Sequence, residues 1–164
     1  MTFRYIGSKS RLIDQITAHM RHPTEGAFFV DAFCGTGVVA EAAAGLGWNV
    51  RINDSLHSAV ISAGARLISQ EQATFAKLGG YIKAIAKLNA ARPKYGFMWR
   101  EYSPASVHSC GLERRYFTEE NAARIDSIRD LITDWRQGGT ISEVEERLLS
   151  ADLLSALNRV ANIA

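Results

Sequence analysis

The chain has 164 residues, of which 47% are hydrophobic and 22% charged, with a formal net charge of +2. This is enough apolar content for a core of about one domain, and no apolar run approaches the ~20 residues of a membrane span. The N-terminal Met-Thr-Phe-Arg-Tyr has no secretory apolar segment, so a cytoplasmic location is expected, and Cys34 and Cys110 fit neither a disulfide framework nor a metal site.

Residues 9 to 21 place Leu12, Ile13, Ile16 and Met20 at helical spacing. Pro23 and Gly26 break the chain before a strand over 27–32. Asp31-Ala32-Phe33-Cys34-Gly35-Thr36-Gly37 closes that strand and opens a small-residue helix, Val38 to Leu46. Gly47 ends the helix, and Trp48 to Asn53 form a second strand running into Asp54.

A strand, a Gly-rich turn opening a helix, and a second strand ending in an acid make a nucleoside-ribose site. The glycines admit a ligand close to the backbone, and the acid can hold two ribose hydroxyls. The pattern departs from the dinucleotide fingerprint, because a single Gly-x-Gly is present and Asp31 and Phe33 precede it. It reads as an S-adenosylmethionine site, with Asp31, Phe33, Gly35, Gly37 and Asp54 around the cofactor. The competing reading is a Gly-rich turn with a purely structural role. Cys34 suits the turn by its small size, and a catalytic thiol is the lesser reading.

Further helices are expected over Leu56 to Ile68 and Phe75 to Leu88, the second weakened by Gly79-Gly80. From Pro93 to Phe117 the pattern is irregular, with Tyr95, Phe97, Trp99, Tyr102, Tyr116 and Phe117 interleaved with arginines. Such a mixture can stack on bases and hold phosphates, or fold back on a core. Thr118 starts a helix striped by Ile125, Ile128, Ile132 and Trp135, which Gly138-Gly139 ends. Ser142 and Glu145 form a capping box ahead of Leu149, Leu153, Leu157 and Val160.

Charge is unevenly spread. Arg4, Lys9, Arg11 and Arg21 face only Asp14 near the N-terminus, and Arg92, Lys94, Arg100, Arg114 and Arg115 outnumber Glu101 and Glu113. Two basic segments can make a phosphate-facing side, with a solvated face as the alternative. Only two strands are readable, fewer than an open doubly wound sheet needs, and the last helix has no stop signal. The chain is therefore expected to be cut in mid-domain.

Three ordered blocks resemble adenine-specific DNA methyltransferases of the Dam-like class. They are Arg4-Tyr5-Ile6-Gly7-Ser8-Lys9-Ser10-Arg11-Leu12, the Asp31 to Gly37 turn with Asn53-Asp54, and Arg114-Arg115-Tyr116-Phe117-Thr118-Glu119-Glu120-Asn121-Ala122. The resemblance implies an α/β, Rossmann-like S-adenosylmethionine-dependent methyltransferase fold, incomplete here, with a helical segment after the second strand. It divides the chain into a cofactor-binding part, 1–91, and a mostly helical, DNA-contacting part, 92–164.

By position, the resemblance puts Tyr5 and Lys9 on the methionine and adenosine side of the pocket, with Lys9 as a carboxylate partner. Gly35 and Gly37 give backbone access, and Asp54 binds the ribose hydroxyls. The plain structural readings are packing under the sheet for Tyr5, a solvated charge for Lys9 and a helix N-cap for Asp54. Arg100, Arg114 and Arg115 are the residues expected to contact double-stranded DNA.

These enzymes also carry an Asp-Pro-Pro-Tyr type tetrad that holds a flipped adenine. Here Pro23, Pro93 and Pro104 are separate, so the tetrad is absent and no catalytic residue is expected in this chain. The tetrad is expected either on a second polypeptide partner or in a part lost by truncation. Two other readings compete: a DNA-binding or regulatory module that lost the chemistry, and a methyltransferase for RNA or small molecules on the same fold.

Overall fold

The computed structural model describes residues 8–162. They fall into two compact units, Met1–Ser69 and Gln70–Ala164. The architecture is mixed α/β, and among the described residues the sheet has two strands. The further strands of a complete Rossmann fold are not found among them. None of the described helices is long and apolar enough to cross a membrane.

In the first unit a tight turn, Ser10–Leu12, leads into α1 (Ile13–Ala18), which stops short of the expected residue 21. Then follow β1 (Phe28–Asp31), α2 (Val38–Gly45), β2 (Asn49–Ile52) and α3 (His57–Arg66). The strands pair in parallel, from Phe28 opposite Asn49 to Asp31 opposite Ile52, with α2 as the crossover. Burial alternates along both strands, leaving Phe29, Asp31, Val50 and Ile52 half-buried.

Ala40 and Ala43 are fully buried on α2, where small side chains let the helix lie close to the sheet. The opposite face of the sheet is open. There Phe28 and Val30 are exposed, and the Arg51 guanidinium carbon lies 3.9 Å from the Phe28 ring centroid.

The second unit is helical: α4 (Tyr81–Asn89), α5 (Phe97–Tyr102), α6 (Val107–Cys110), α7 (Glu119–Gln137) and α8 (Glu143–Val160). The run expected to be helical from Phe75 is broken at Gly79 and Gly80, whose φ values are 80° and 104°. Only a short turn, Ala76–Leu78, precedes the break. Phe75, Leu78, Ala84, Leu88, Ile132, Ile141 and Leu149 form one core. The α4 stripe is part of it, within the compact unit that begins at Gln70.

A second cluster gathers Phe117, Ala122 and Ile125 with Met98, Trp99 and Tyr102. The segment from 93 to 117 is thus not shapeless; it forms two short helices, of which α5 packs onto α7 and α6 packs against α5. Both expected caps form. The Thr118 hydroxyl accepts from the Asn121 amide at 3.1 Å, and Ser142 with Glu145 makes the reciprocal capping box.

Candidate cofactor site

The turn after β1 is laced to the end of β2. Asn53 N–H donates to the Asp31 carbonyl at 2.9 Å, and Cys34 N–H donates to the Asn53 carbonyl at 2.9 Å. The Asn53 side-chain amide reaches the Ala32 carbonyl at 3.0 Å. This lacing brings Asp54 under the glycines: Gly35 N–H donates to Asp54 Oδ2 at 2.9 Å, and Leu56 N–H to Oδ1 at 3.0 Å.

Those amides of Leu56 and Gly35, in that order, hold the Asp54 carboxyl below its usual range. Oδ1 also accepts from the Ser55 hydroxyl at 3.5 Å, while Oδ2 spends one acceptor site on the backbone and keeps another. The residue at the N-cap of α3 is Leu56, so Asp54 is an anchor of the turn rather than the cap itself.

Asp31 sits beside it in a different state. Burial pushes its carboxyl up and the nearby Asp54 charge adds to this, while the amides of Phe33 and Ala40 and the charge of Lys9 pull it down. Its Oδ2 is buried and finds no hydrogen-bond partner among the described residues. Burial, then the charges of Asp54 and Asp31, raise the Cys34 thiol, which disfavours the reactive thiolate, and the small side chain is buried in the turn.

Lys9 is exposed at the start of the first helical turn, close enough for its charge to act on Asp31. The Ser8 hydroxyl lies 3.5 Å from that of Thr36, so the first and second sequence blocks meet in space. Phe33 stands out from the turn, 87% exposed. Gly35 has φ of 49°. Gly37 is occupied otherwise: a Cβ there would lie 2.6 Å from the Ala63 Cα, so this glycine lets α2 and α3 touch. Tyr5 lies outside the described residues.

Two neighbouring carboxylates, one with an orphaned oxygen, disfavour phosphates and favour a cationic ligand bearing a vicinal diol. S-adenosylmethionine has both features, and the donor set fits it better than a dinucleotide.

The sequence pattern of a family described as D12 class N6 adenine-specific DNA methyltransferase matches residues 5–164. The chain belongs to this family. It is 33% identical to Modification methylase LlaI of Lactococcus lactis subsp. lactis, over 97% of this chain and 25% of that protein. It is 33% identical to Type II methyltransferase M.FokI of Planomicrobium okeanokoites over 98% of this chain and 25% of the relative. Type II methyltransferase M.NlaIII of Neisseria lactamica is 30% identical over 98% of this chain and 46% of its own length. The chain thus spans between a quarter and a half of the relatives it matches. No solved structure matches it.

In this D12-class chain the third sequence block turns out to be largely architectural. Phe117 and Ala122 are buried, Thr118 caps α7, and Phe117 N–H donates to the Tyr102 carbonyl at 3.0 Å. Of the three arginines expected on DNA, Arg114 is half-buried and bonds the Glu101 carbonyl at 2.9 Å. Arg100 pairs with Glu101 at 3.0 Å, and Arg115, 77% exposed, with Glu113 at 2.6 Å. Among the described residues no group of acids, histidines and cysteines could hold a metal.

Sequence reasoning missed Asp126. It is buried on α7 and accepts from the amides of Gly96 (3.1 Å), Met98 (3.0 Å) and Trp99 (2.9 Å), fixing the start of α5. The available signal was an acid adjoining the apolar stripe, beside Ile125 and two residues before Ile128.

Proposed function

We propose that this chain is the cofactor-binding and DNA-contacting part of a site-specific adenine methyltransferase of the restriction–modification kind. The observation that carries the reading is Asp54, fixed at the end of β2 by the amides of Gly35 and Leu56, whose Oδ2 keeps an acceptor site for a ribose hydroxyl while Oδ1 is shared with the Ser55 hydroxyl. The family membership supplies the reaction class.

In this reading Asp54 holds the ribose, Gly35 lets the ligand approach, and Asp31 takes the ammonium of the methionine moiety. Lys9 pairs with its carboxylate, the exposed Phe33 flanks the pocket, and the family resemblance assigns Tyr5 to the same cofactor. Gly37 contributes by packing α2 on α3. When bound, S-adenosylmethionine supplies the methyl group destined for the adenine amine. Arg100 and Arg115 reach phosphates of double-stranded DNA, with Arg114 supporting the loop between them.

The residues that would hold a flipped adenine are absent from the 164. The chain alone is therefore expected to bind donor and DNA without transferring the methyl group. Nothing in the comparisons supports a second polypeptide as the source of those residues.

Calorimetric titration with S-adenosylmethionine tests the reading. One-site binding is expected, and Asp54→Ala should weaken it about tenfold or more, as for ligand hydroxyls left without an acceptor. Asp54→Asn, which keeps an acceptor for the turn, should weaken it less. Unchanged affinity in Asp54→Ala would remove the ribose assignment; no binding by the unaltered chain would remove the cofactor reading.

A further inference from the structure

The aromatic residues between Pro93 and Phe117 are sorted by the fold. Phe117 is buried, and Trp99 packs against the same cluster. Phe97 and Tyr116 remain 45% and 52% exposed. They are joined through Tyr102: its ring centroid is 5.7 Å from that of Phe97, edge-on, and 5.7 Å from that of Tyr116 at 60°. The result is a row of three touching rings with both outer members open to solvent.

The row is held rigidly. Asp126 clamps the start of α5, which carries Phe97 and Tyr102. Tyr116 precedes the buried Phe117, and its carbonyl accepts from the Asn162 amide at 2.8 Å. Exposed rings on a fixed backbone keep an apolar surface wet, an arrangement that marks interaction sites.

Each outer ring has an arginine beside it that is ion-paired at the surface with an acid. Arg100 follows Phe97 by one helical turn, so the two share a face of α5, and Arg115 adjoins Tyr116. Both are more than half exposed, and their pairs with Glu101 and Glu113 are surface ion pairs of small net worth that a phosphate can displace.

We propose that Phe97, Tyr102 and Tyr116 form a stacking platform for an unpaired DNA base, with Arg100 and Arg115 holding the phosphates on either side of it. Every base has a π-face, so the platform recognises an unstacked nucleotide without reading its identity. The proposal rests on the reading of DNA as substrate. A protein surface is the other class of occupant for exposed rings, but the excess of arginine over acid along the segment favours a polyanion.

The test is fluorescence anisotropy of the full chain with a labelled single-stranded oligonucleotide and with the matching duplex. The expected result is tighter binding of the single strand. Phe97→Ala and Tyr116→Ala should each weaken that binding about five- to a hundredfold at unchanged salt dependence, the range expected for losing one stacked base. Tyr116→Phe should retain it, and Arg115→Ala should lower the salt slope by about 0.7. Leu112→Ala, at an exposed apolar residue outside the row, should bind normally.

Salt-dependent DNA binding that is identical in the unaltered chain, Phe97→Ala and Tyr116→Ala would overturn the platform and leave the DNA reading intact. Equal weakening by Leu112→Ala would overturn it in favour of a general apolar surface. Failure to bind either DNA would overturn the platform and the DNA reading together.

Discussion

Asp126→Asn exchanges a buried carboxylate for an amide of the same shape. In the unaltered chain Oδ2 accepts from Gly96 and Trp99, and Oδ1 from Met98. The amide can keep its oxygen toward the first two donors, which sets its N–H groups against the Met98 amide. Two charge-assisted bonds become neutral, at about 1 kcal/mol each, and one buried N–H loses its partner, at about 1–3 kcal/mol. Burying a neutral amide in place of a charge returns part of this, so the net loss should be about 2–3 kcal/mol.

Asp126→Ala, which strands all three amides, should lose about 4 kcal/mol or more. Urea unfolding followed by tryptophan fluorescence is the assay. With a slope of about 1–1.5 kcal/mol per molar for a unit of this size, Asp126→Asn should lower the midpoint by about 2 M at constant slope. A midpoint shift below about 0.3 M would refute the argument that this carboxylate organises α5.

The glycines of α2 should respond in opposite directions. Gly37→Ala meets the Ala63 backbone at 2.6 Å and has a φ of 77°, so it should destabilise the first unit by about 2–4 kcal/mol in the same urea assay. Gly45→Ala meets nothing within 4 Å and should stabilise by up to about 1 kcal/mol. The two site acids should titrate in opposite senses. Asp31, raised by burial, contributes stability below its ordinary 3.8 that is lost as pH rises through its folded value. Asp54, held low, contributes stability above 3.8 that is lost as pH falls. Asp31→Asn should therefore raise the urea midpoint at neutral pH while weakening S-adenosylmethionine binding, a split that titration and unfolding read separately. Tyr81 is 37% exposed, yet desolvation of its hydroxyl and its bond to Asp152 at 2.9 Å push it up from 10 to about 12. Its contribution is complete below pH 10 and lost toward pH 12, so Tyr81→Phe should flatten the stability profile across that window.

The parts of the molecule that read directly from sequence are those whose causes are local. Thr118 and Ser142 cap helices through donors three residues away, and the Gly79-Gly80 break announces itself by composition. The glycine turn was legible as a strand-to-helix turn, because the φ values of 49° at Gly35 and 77° at Gly37 suit glycine. What stayed hidden depends on distant partners. Gly37 also packs against Ala63 of α3, and Arg114 also bonds the Glu101 carbonyl, contacts that no local pattern announces. The helices between 93 and 117 owe their order to Asp126, up to 30 residues further along the chain. The boundary near residue 70 follows from α4 sharing a core with α7 and α8, which periodicity alone does not reveal.

Glu145 does more than close the box at the start of α8. It is buried, and its other oxygen accepts the amide of Phe75, a fully buried residue with a φ of 50° that lies 70 positions earlier. During synthesis, Phe75 leaves the ribosome long before the residue that fixes it exists. The start of the second unit must wait with an apolar ring uncovered until α8 is made, then close a long loop against its entropy. The first unit has no such debt, because its paired strands span only residues 28 to 52. The two halves of this short chain therefore mature in sequence, and the interval between them is when Phe75 is open to chaperones or to misassociation.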